Sequence, residues 1–259
     1  MDGRPWPTRR AVLGAAVGTS LAGVLGAGLA REHDPLERTG TPLSRSRVDP
    51  RSISSVHTGR RVVALTFDDG PDPASTPAVL DVLDQFGVVA TFFMIGRNVV
   101  ERPDLAVEVL RRGHQVASHT QDHLWLDEQP AAVVRSQVLA GAASLARVGA
   151  PSTRLFRPPH GWTSPTVARV THAHGLRCIF WSECLEHYLR LGDPSSAAAA
   201  VAARTGPGSI ILCHDGGHLD GPHPQSLDRA ATVAALPHML DAVLSKDLRF
   251  ATVSELTGV

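Results

Sequence analysis

The chain has a single tyrosine, three methionines and three cysteines, and aromatic residues make up only 5% of it. An odd set of cysteines cannot pair completely, and Cys178, Cys184 and Cys213 lack the spacing of a zinc ribbon, so no disulfide framework or structural zinc module is expected. A Cys178–Cys184 bridge is open to an oxidising compartment, but the expected state is small buried thiols. An excess of charge of one sign is missing too: Lys plus Arg and Asp plus Glu each number 25, and no basic run is interleaved with aromatics. That argues against nucleic acid as a partner. No G-x-G-x-x-G follows the first predicted strand, which takes away the main support for a dinucleotide-binding sheet.

Long apolar runs are absent except near the start. Thr8-Arg9-Arg10 precedes AVLGAAVGTSLAGVLGAGLA, which ends in the small-x-small triplet Gly28-Leu29-Ala30. This is the layout of an export signal over residues 1–30, and the paired arginines resemble the twin-arginine type; an uncleaved anchor is the alternative. Either way the remainder is expected outside the cytoplasm, in the extracellular space, the cell wall or at the outer face of the cytoplasmic membrane. Residues 31–59, rich in Arg, Ser, Pro and Thr without apolar periodicity, read as a flexible tether. The catalytic domain is expected over 60–259.

In that domain short runs of Val, Ile and Phe alternate with stretches of helical period. Strands are predicted at VVALTF from Val62, VVATFFMIG from Val88, HQVAS from His114, RLFRP from Arg154, RCIFWS from Arg177, SIILCH from Ser209 and RFATVS from Arg249. Helices are predicted from Thr76-Pro77, over Pro103–Arg112, over Pro130–Arg147, from Ser164-Pro165, from Asp193-Pro194, and over Gln225–Lys246 with a bend or restart at Pro237. Strict strand–helix alternation predicts parallel strands in one α/β domain, as a barrel of about seven β/α units.

The polar residues that look out of place fall at the C-terminal ends of these strands. They are Asp68 and Asp69 after the first, His119 and His123 after the third, Arg157 in the fourth, Glu183 after the fifth and His214 after the sixth. In a β/α barrel those ends meet on one rim, where the chemistry is carried. Asp69, His119 and His123 make an N,N,O set for zinc or a similar divalent ion, with positions left open for water and substrate. Among 13 histidines an H-x-x-x-H pair means little alone; its place after a strand gives it weight. Two adjacent acids repel, unless a dication beside one of them holds the other near its water.

Four motifs then stand in order: TFDDGP at Thr66–Pro71, HTQDH at His119–His123, RPPHG at Arg157–Gly161 and LCH at Leu212–His214. Together they resemble the signatures of the polysaccharide deacetylases, carbohydrate esterase family four (the NodB homology domain), across roughly Val62 to Val259. The resemblance implies a distorted (β/α) barrel and metal-dependent removal of N-acetyl, or sometimes O-acetyl, groups from a glycan. It implies Asp68 as general base, Asp69, His119 and His123 as ligands of one divalent ion (Zn²⁺, with Co²⁺ as an alternative), Arg157 as the residue orienting Asp68, and His214 as general acid. The oxyanion would meet a backbone N–H near His160, in the turn with Pro159. Two departures stand out: His160 occupies the position where the family usually has Tyr, and FWSECLEHY offers Glu183, Glu186 or Tyr188 in place of the fourth motif's aspartate.

Trp125 and Trp162 are candidates for stacking on sugar rings. Leu212 is a candidate pocket for the acetyl methyl, and His218 with His223 a candidate second cation site that reads better as a polar loop. The expected substrate is an acetylated glycan of the peptidoglycan or chitin type, handled by a monomer without an obligate protein partner. The alternatives are an O-acetyl-xylan esterase, a glycosidase built on the two acids, and a non-catalytic wall-binding module.

Overall fold

The structure is a computed structural model that describes residues 48–217 and 228–259. The export segment, most of the tether, and His218 and His223 lie outside the described residues. Among those that are described, no helix is long and apolar enough to cross a membrane.

Eight strands form one sheet: β1 (Val62–Asp68), β2 (Thr91–Met94), β3 (Gln115–Ser118), β4 (Leu155–Phe156), β5 (Arg177–Cys178), β6 (Glu183–Cys184), β7 (Ile210–His214) and β8 (Arg249–Ala251). The order is β5-β4-β3-β2-β1-β7-β6, β8 pairs with β1, and every pairing is parallel. Nine helices accompany them among the described residues: α1 (Thr76–Phe86), α2 (Gly96–Glu101), α3 (Pro103–Arg111), α4 (Ala131–Arg147), α5 (Pro165–Ala173), α6 (Leu185–Leu189), α7 (Pro194–Arg204), α8 (Ala230–Leu244) and α9 (Val253–Thr257). This is the expected distorted β/α barrel, with β6, α2, α6 and α9 in addition to the predicted elements.

Side-chain alternation along the strands divides the molecule into layers, because successive residues point to opposite faces. Val63, Leu65 and Phe67 of β1 join Ile211 and Cys213 of β7 and the helix faces of α1, α7 and α8 in the outer core. Ala64, Phe93, Ala117, Leu155 and Ile210 point the other way and fill the barrel with Val253 and Leu256 of α9. Extending that second parity two residues at a time places Thr66 and Asp68, His119, Arg157, and Leu212 and His214 on the inner face.

Three local expectations need correction. The tether does not reach residue 59, because residues 49–56 are bound to the barrel. The outer strands β5 and β6 do not pair with each other. Ile53 enters beside β5 instead, its N–H donating to Cys178 O at 2.9 Å and its carbonyl accepting from Phe180 N–H at 2.7 Å, while Val56 N–H donates to Gly208 O at 2.9 Å. Asp49, wholly buried, anchors the start of this strap through His172 Nε2 at 2.9 Å.

The second correction concerns RFATVS, whose strand ends at Ala251. Thr252 and Glu255 form a reciprocal capping box that starts α9. Third, α8 runs through Pro237 as one helix. Leu236, Met239, Leu240 and Val243 are all buried on its inner face, and that burial offsets the one hydrogen bond the proline removes.

Candidate active site

Adjacent residues of a strand face opposite ways, so Asp68 and Asp69 could not share a site if β1 simply continued. It does not continue: Asp69 takes a left-handed φ of 73°, which turns its carboxylate back to the inner side. Asn98 of α2 fixes this turn by donating from Nδ2 to Asp69 O at 2.8 Å, and Gly216 packs so closely beneath that carbonyl that a side chain there has no room. Thr120, His123 and His160 also have positive φ, so the non-glycine strain of the fold is concentrated around these loops.

His119 continues the inner parity of β3. Its Nδ1 lies 2.8 Å from Arg157 O, a carbonyl that can only accept, so Nδ1 carries a proton and Nε2 is the nitrogen turned to the two acids. His123 closes the same loop, its N–H donating to Thr120 Oγ1 at 3.0 Å. Gln137 of α4 braces the loop from outside, accepting from Asp122 N–H at 2.8 Å and donating to Asp122 Oδ2 at 2.7 Å.

Asp69, His119 and His123 come together as a buried set with one donor atom each within 4.8 Å of the others. Asp69 Oδ1 is 3.4 Å from His119 Nε2 and 3.1 Å from His123 Nε2. Both Asp69 oxygens are buried and lack a hydrogen bond among the described residues. Burial pushes this carboxyl up, but the His123 and His119 imidazoles outweigh it and hold it well below the usual carboxylate range. In the neutral ring His119 Nε2 turns a lone pair toward this carboxylate, so the stabilisation needs positive charge between them, carried by a proton or by a divalent ion. Donors bound about 2.0–2.2 Å from one ion at tetrahedral or octahedral angles stand roughly 2.9–3.5 Å apart, and the two measured separations fall in that range. The residues therefore fit a divalent ion, with the Nδ1 bond of His119 in the position that commonly orients a ligating imidazole.

Asp68 is held differently. Its Oδ1 accepts from Arg157 Nη1 at 2.6 Å, while Oδ2 lies 3.7 Å from His119 Nε2. Arg157 is fully buried and uses its other donors on Thr66 Oγ1, Ile179 O and Phe180 O, with its guanidinium 4.1 Å over the Phe93 ring. Thus one acid is locked to an arginine and its neighbour faces two imidazoles.

His214 ends β7 level with Asp68. Glu186, in the first turn of α6, contacts it twice: Oε1 accepts from His214 N–H at 2.9 Å and Oε2 lies 3.1 Å from Nδ1. Burial pushes the His214 imidazolium down, but Glu186 more than reverses this, so its pKa is raised; the same pairing lowers that of Glu186 against its own burial. Of the three residues that could replace the fourth-motif aspartate, Glu186 is the one at His214. Glu183 opens β6 and turns to Arg204 Nε at 3.0 Å, and so does not join the rim, whereas the Tyr188 ring packs against His187.

His160 lies in the turn Pro159–Gly161, stacked on Trp125 with ring centroids 3.7 Å apart and edge-on to His123 at 4.5 Å. Trp125 is thus committed to this stack. Pro159 and Leu212 are buried, and Trp162 is half-buried at the end of the turn. All three cysteines are free thiols, and burial pushes Cys178 up to about 12. Two site residues that sequence reasoning missed are Asn98, which follows an unremarkable strand, and Arg229, whose Nη2 reaches to 3.7 Å from Asp69 Oδ2.

Comparison with known proteins agrees with this geometry. The polysaccharide deacetylase family matches residues 55–179. A peptidoglycan-N-acetylglucosamine deacetylase of Bacillus cereus is 34% identical over 218 residues, spanning 83% of this chain and 97% of its own. A chitooligosaccharide deacetylase of Sinorhizobium fredii is 39% identical over 196 residues, spanning 74% of this chain and 90% of its own. Among solved structures, a peptidoglycan N-acetylglucosamine deacetylase superposes with a TM-score of 0.74 at 27% identity, covering 85% of this chain and 98% of that one. A family 4 carbohydrate esterase from Streptomyces lividans, solved with acetate, gives 0.66 at 29% identity over 76% of this chain and 95% of that one. With its fold, its Asp-His-His cluster and relatives that align over nearly their full length, the chain belongs to the polysaccharide deacetylase family, carbohydrate esterase family 4.

Proposed function

We propose that this deacetylase hydrolyses the acetamido group of N-acetylglucosamine units in an exported setting, with peptidoglycan or a chitin-like polymer as substrate and Zn²⁺ as the metal. The observation that carries the reading is the convergence of Asp69 Oδ1, His119 Nε2 and His123 Nε2 in one buried cluster, beside an acid that Arg157 keeps apart. Asp69, His119 and His123 would hold the ion. When bound, a divalent ion lowers the pKa of water and polarises a carbonyl.

The chain's own groups account for the rest. Arg157 occupies Asp68 Oδ1, so Oδ2, on the side of His119, is the oxygen that takes the proton from the attacking water. The N–H near His160 stabilises the developing oxyanion. Glu186 keeps His214 in its protonated form, and His214 gives that proton to the departing amine. The acetyl methyl lies against Leu212, and the Trp125–His160 stack, with Trp162, borders the sugar. The described residues of one chain supply every group named, so the reading requires no second subunit. Asp68 and Asp69 converge on one imidazole nitrogen instead of facing each other across a cleft, which disfavours a glycosidase.

The signal-like layout of the sequence over residues 1–30 is in keeping with a site of action at the cell wall. The test is acetate release by the Zn²⁺-loaded chain from N-acetylglucosamine oligomers, peptidoglycan and acetyl-xylan. Release from the first two with chain length intact supports the proposal. Release from acetyl-xylan alone, or shortened chains, overturns it.

A further inference from the structure

Asp69 has two oxygens with different surroundings. Oδ1 faces His119 and His123; Oδ2 faces Arg229, whose Nη2 is 3.7 Å away. Both Oδ2 and Nη2 are buried, and neither makes a hydrogen bond among the described residues. The Arg229 side chain is only 12% exposed, and its Nε donates to Gly216 O at 2.6 Å. Gly216 is also the residue packed beneath the Asp69 carbonyl. The guanidinium is therefore tied to the same short stretch of backbone that supports Asp69. An isolated buried guanidinium is costly, and the acids around it, Asp69 in front with Glu186 and Asp215 near, are its compensation.

We infer that Arg229 is a positioning residue for Asp69: it claims Oδ2 and leaves Oδ1 as the single oxygen presented to a divalent ion. The inference rests on the ligand set proposed above. A carboxylate that binds through both oxygens fills two positions on an ion, whereas one binding through a single oxygen leaves a position open for water or substrate. Hydrogen bonds to a ligating carboxylate commonly set this choice, and their loss typically costs about 10–100-fold in metal affinity or activity. Asn98 and Gly216 fix the Asp69 backbone, and Arg229 fixes the rotation of its carboxylate. A lysine could not replace it fully, because one ammonium cannot both bond Gly216 O and reach Oδ2 with the planar fork of a guanidinium.

The full chain loaded with Co²⁺ reports the geometry directly through its visible ligand-field spectrum. R229M is expected to weaken the visible absorption, as Oδ2 joins the ion and the coordination number rises. It should also lower kcat about tenfold or more with KM within about threefold. R229K is expected to move both readouts in the same direction by less, and it decides the matter if R229M fails to fold. A wild-type spectrum and kcat in the folded variant would overturn the inference, and so would a raised KM with both unchanged, which would make Arg229 a substrate contact. If the spectrum shifts while even the wild-type chain releases acetate from no glycan, the substrate proposal fails and the role of Arg229 stands.

Discussion

Glu186 grips His214 at two points, by its backbone N–H at 2.9 Å and beside imidazole Nδ1 at 3.1 Å. A second bond to Glu186 Oε1, from Thr232 Oγ1 at 3.0 Å, ties the pair to α8. The carboxylate thus fixes both the place of the imidazole and its charge.

The pH dependence follows from the direction of that charge effect. A raised His214 pKa means the protonated acid persists to higher pH, so the alkaline limb of kcat/KM should lie above the ordinary histidine range. Glu186→Gln removes the charge and should shift that limb to lower pH, with kcat down roughly 10–100-fold. An alkaline limb that stays in place would show that His214 is not the group titrating.

The proposed base and a proposed metal ligand are expected to fail differently. Asp68→Asn should keep its metal and lose about 10²–10⁴ in kcat, the usual contribution of a positioned general base. His119→Ala should lose metal and turnover together. Metal content by atomic emission, read beside acetate release, separates them; loss of metal from Asp68→Asn would reverse the assignments.

Arg157→Met would leave the buried Asp68 carboxyl without its partner. Breaking a buried pair in this way typically costs about 3–5 kcal/mol, and urea denaturation should show a loss of that order. A variant as stable as the parent would mean that Asp68 finds another partner.

The strap at residues 49–56 gives a fourth expectation. A chain beginning at residue 48 keeps Asp49 with His172 and Ile53 beside β5, whereas one beginning at residue 58 loses both. The shorter form should be less stable by at least about 2 kcal/mol, given the apolar burial and hydrogen bonds it gives up. Equal melting temperatures would contradict a structural role for the strap.

Gly141 supplies a test of the ligand loop from its outer side. A Cβ there would meet Ser118 Oγ and the Thr120 carbonyl, each at 2.7 Å. Gly141→Ala should push the His119–His123 loop off α4 and cost about 1–3 kcal/mol, with weaker Zn²⁺ binding by chelator competition. Unchanged zinc affinity would show the loop to be set independently of α4.

The inner-facing residues were legible because a strand's parity is written in its sequence. Val63, Leu65 and Phe67 mark one face of β1, and the other face runs through Ala64 and Thr66 to Asp68; the same counting reaches His119, Arg157 and His214. What parity cannot supply is a residue outside a strand. Asp69 reaches the site only through its left-handed turn, and Glu186 from the first turn of a five-residue helix with no periodic signal. Arg229 arrives from far along the chain by a single ion pair. The strap was missed because its apolar residues, Ile53 and Val56, stand among polar ones and pair with strands distant in sequence. The capping box of α9 was readable as T-x-x-E at Thr252–Glu255, hidden by a β-rich run before it.

The central claim is that one carboxylate and two imidazoles from separate strand ends grip a single dication. Anomalous diffraction from crystals of the chain grown with Zn²⁺ tests it most directly. A single strong peak about 2.0–2.2 Å from Asp69 Oδ1, His119 Nε2 and His123 Nε2 is the predicted result. Zinc bound elsewhere, with these three side chains pointing apart, would contradict it.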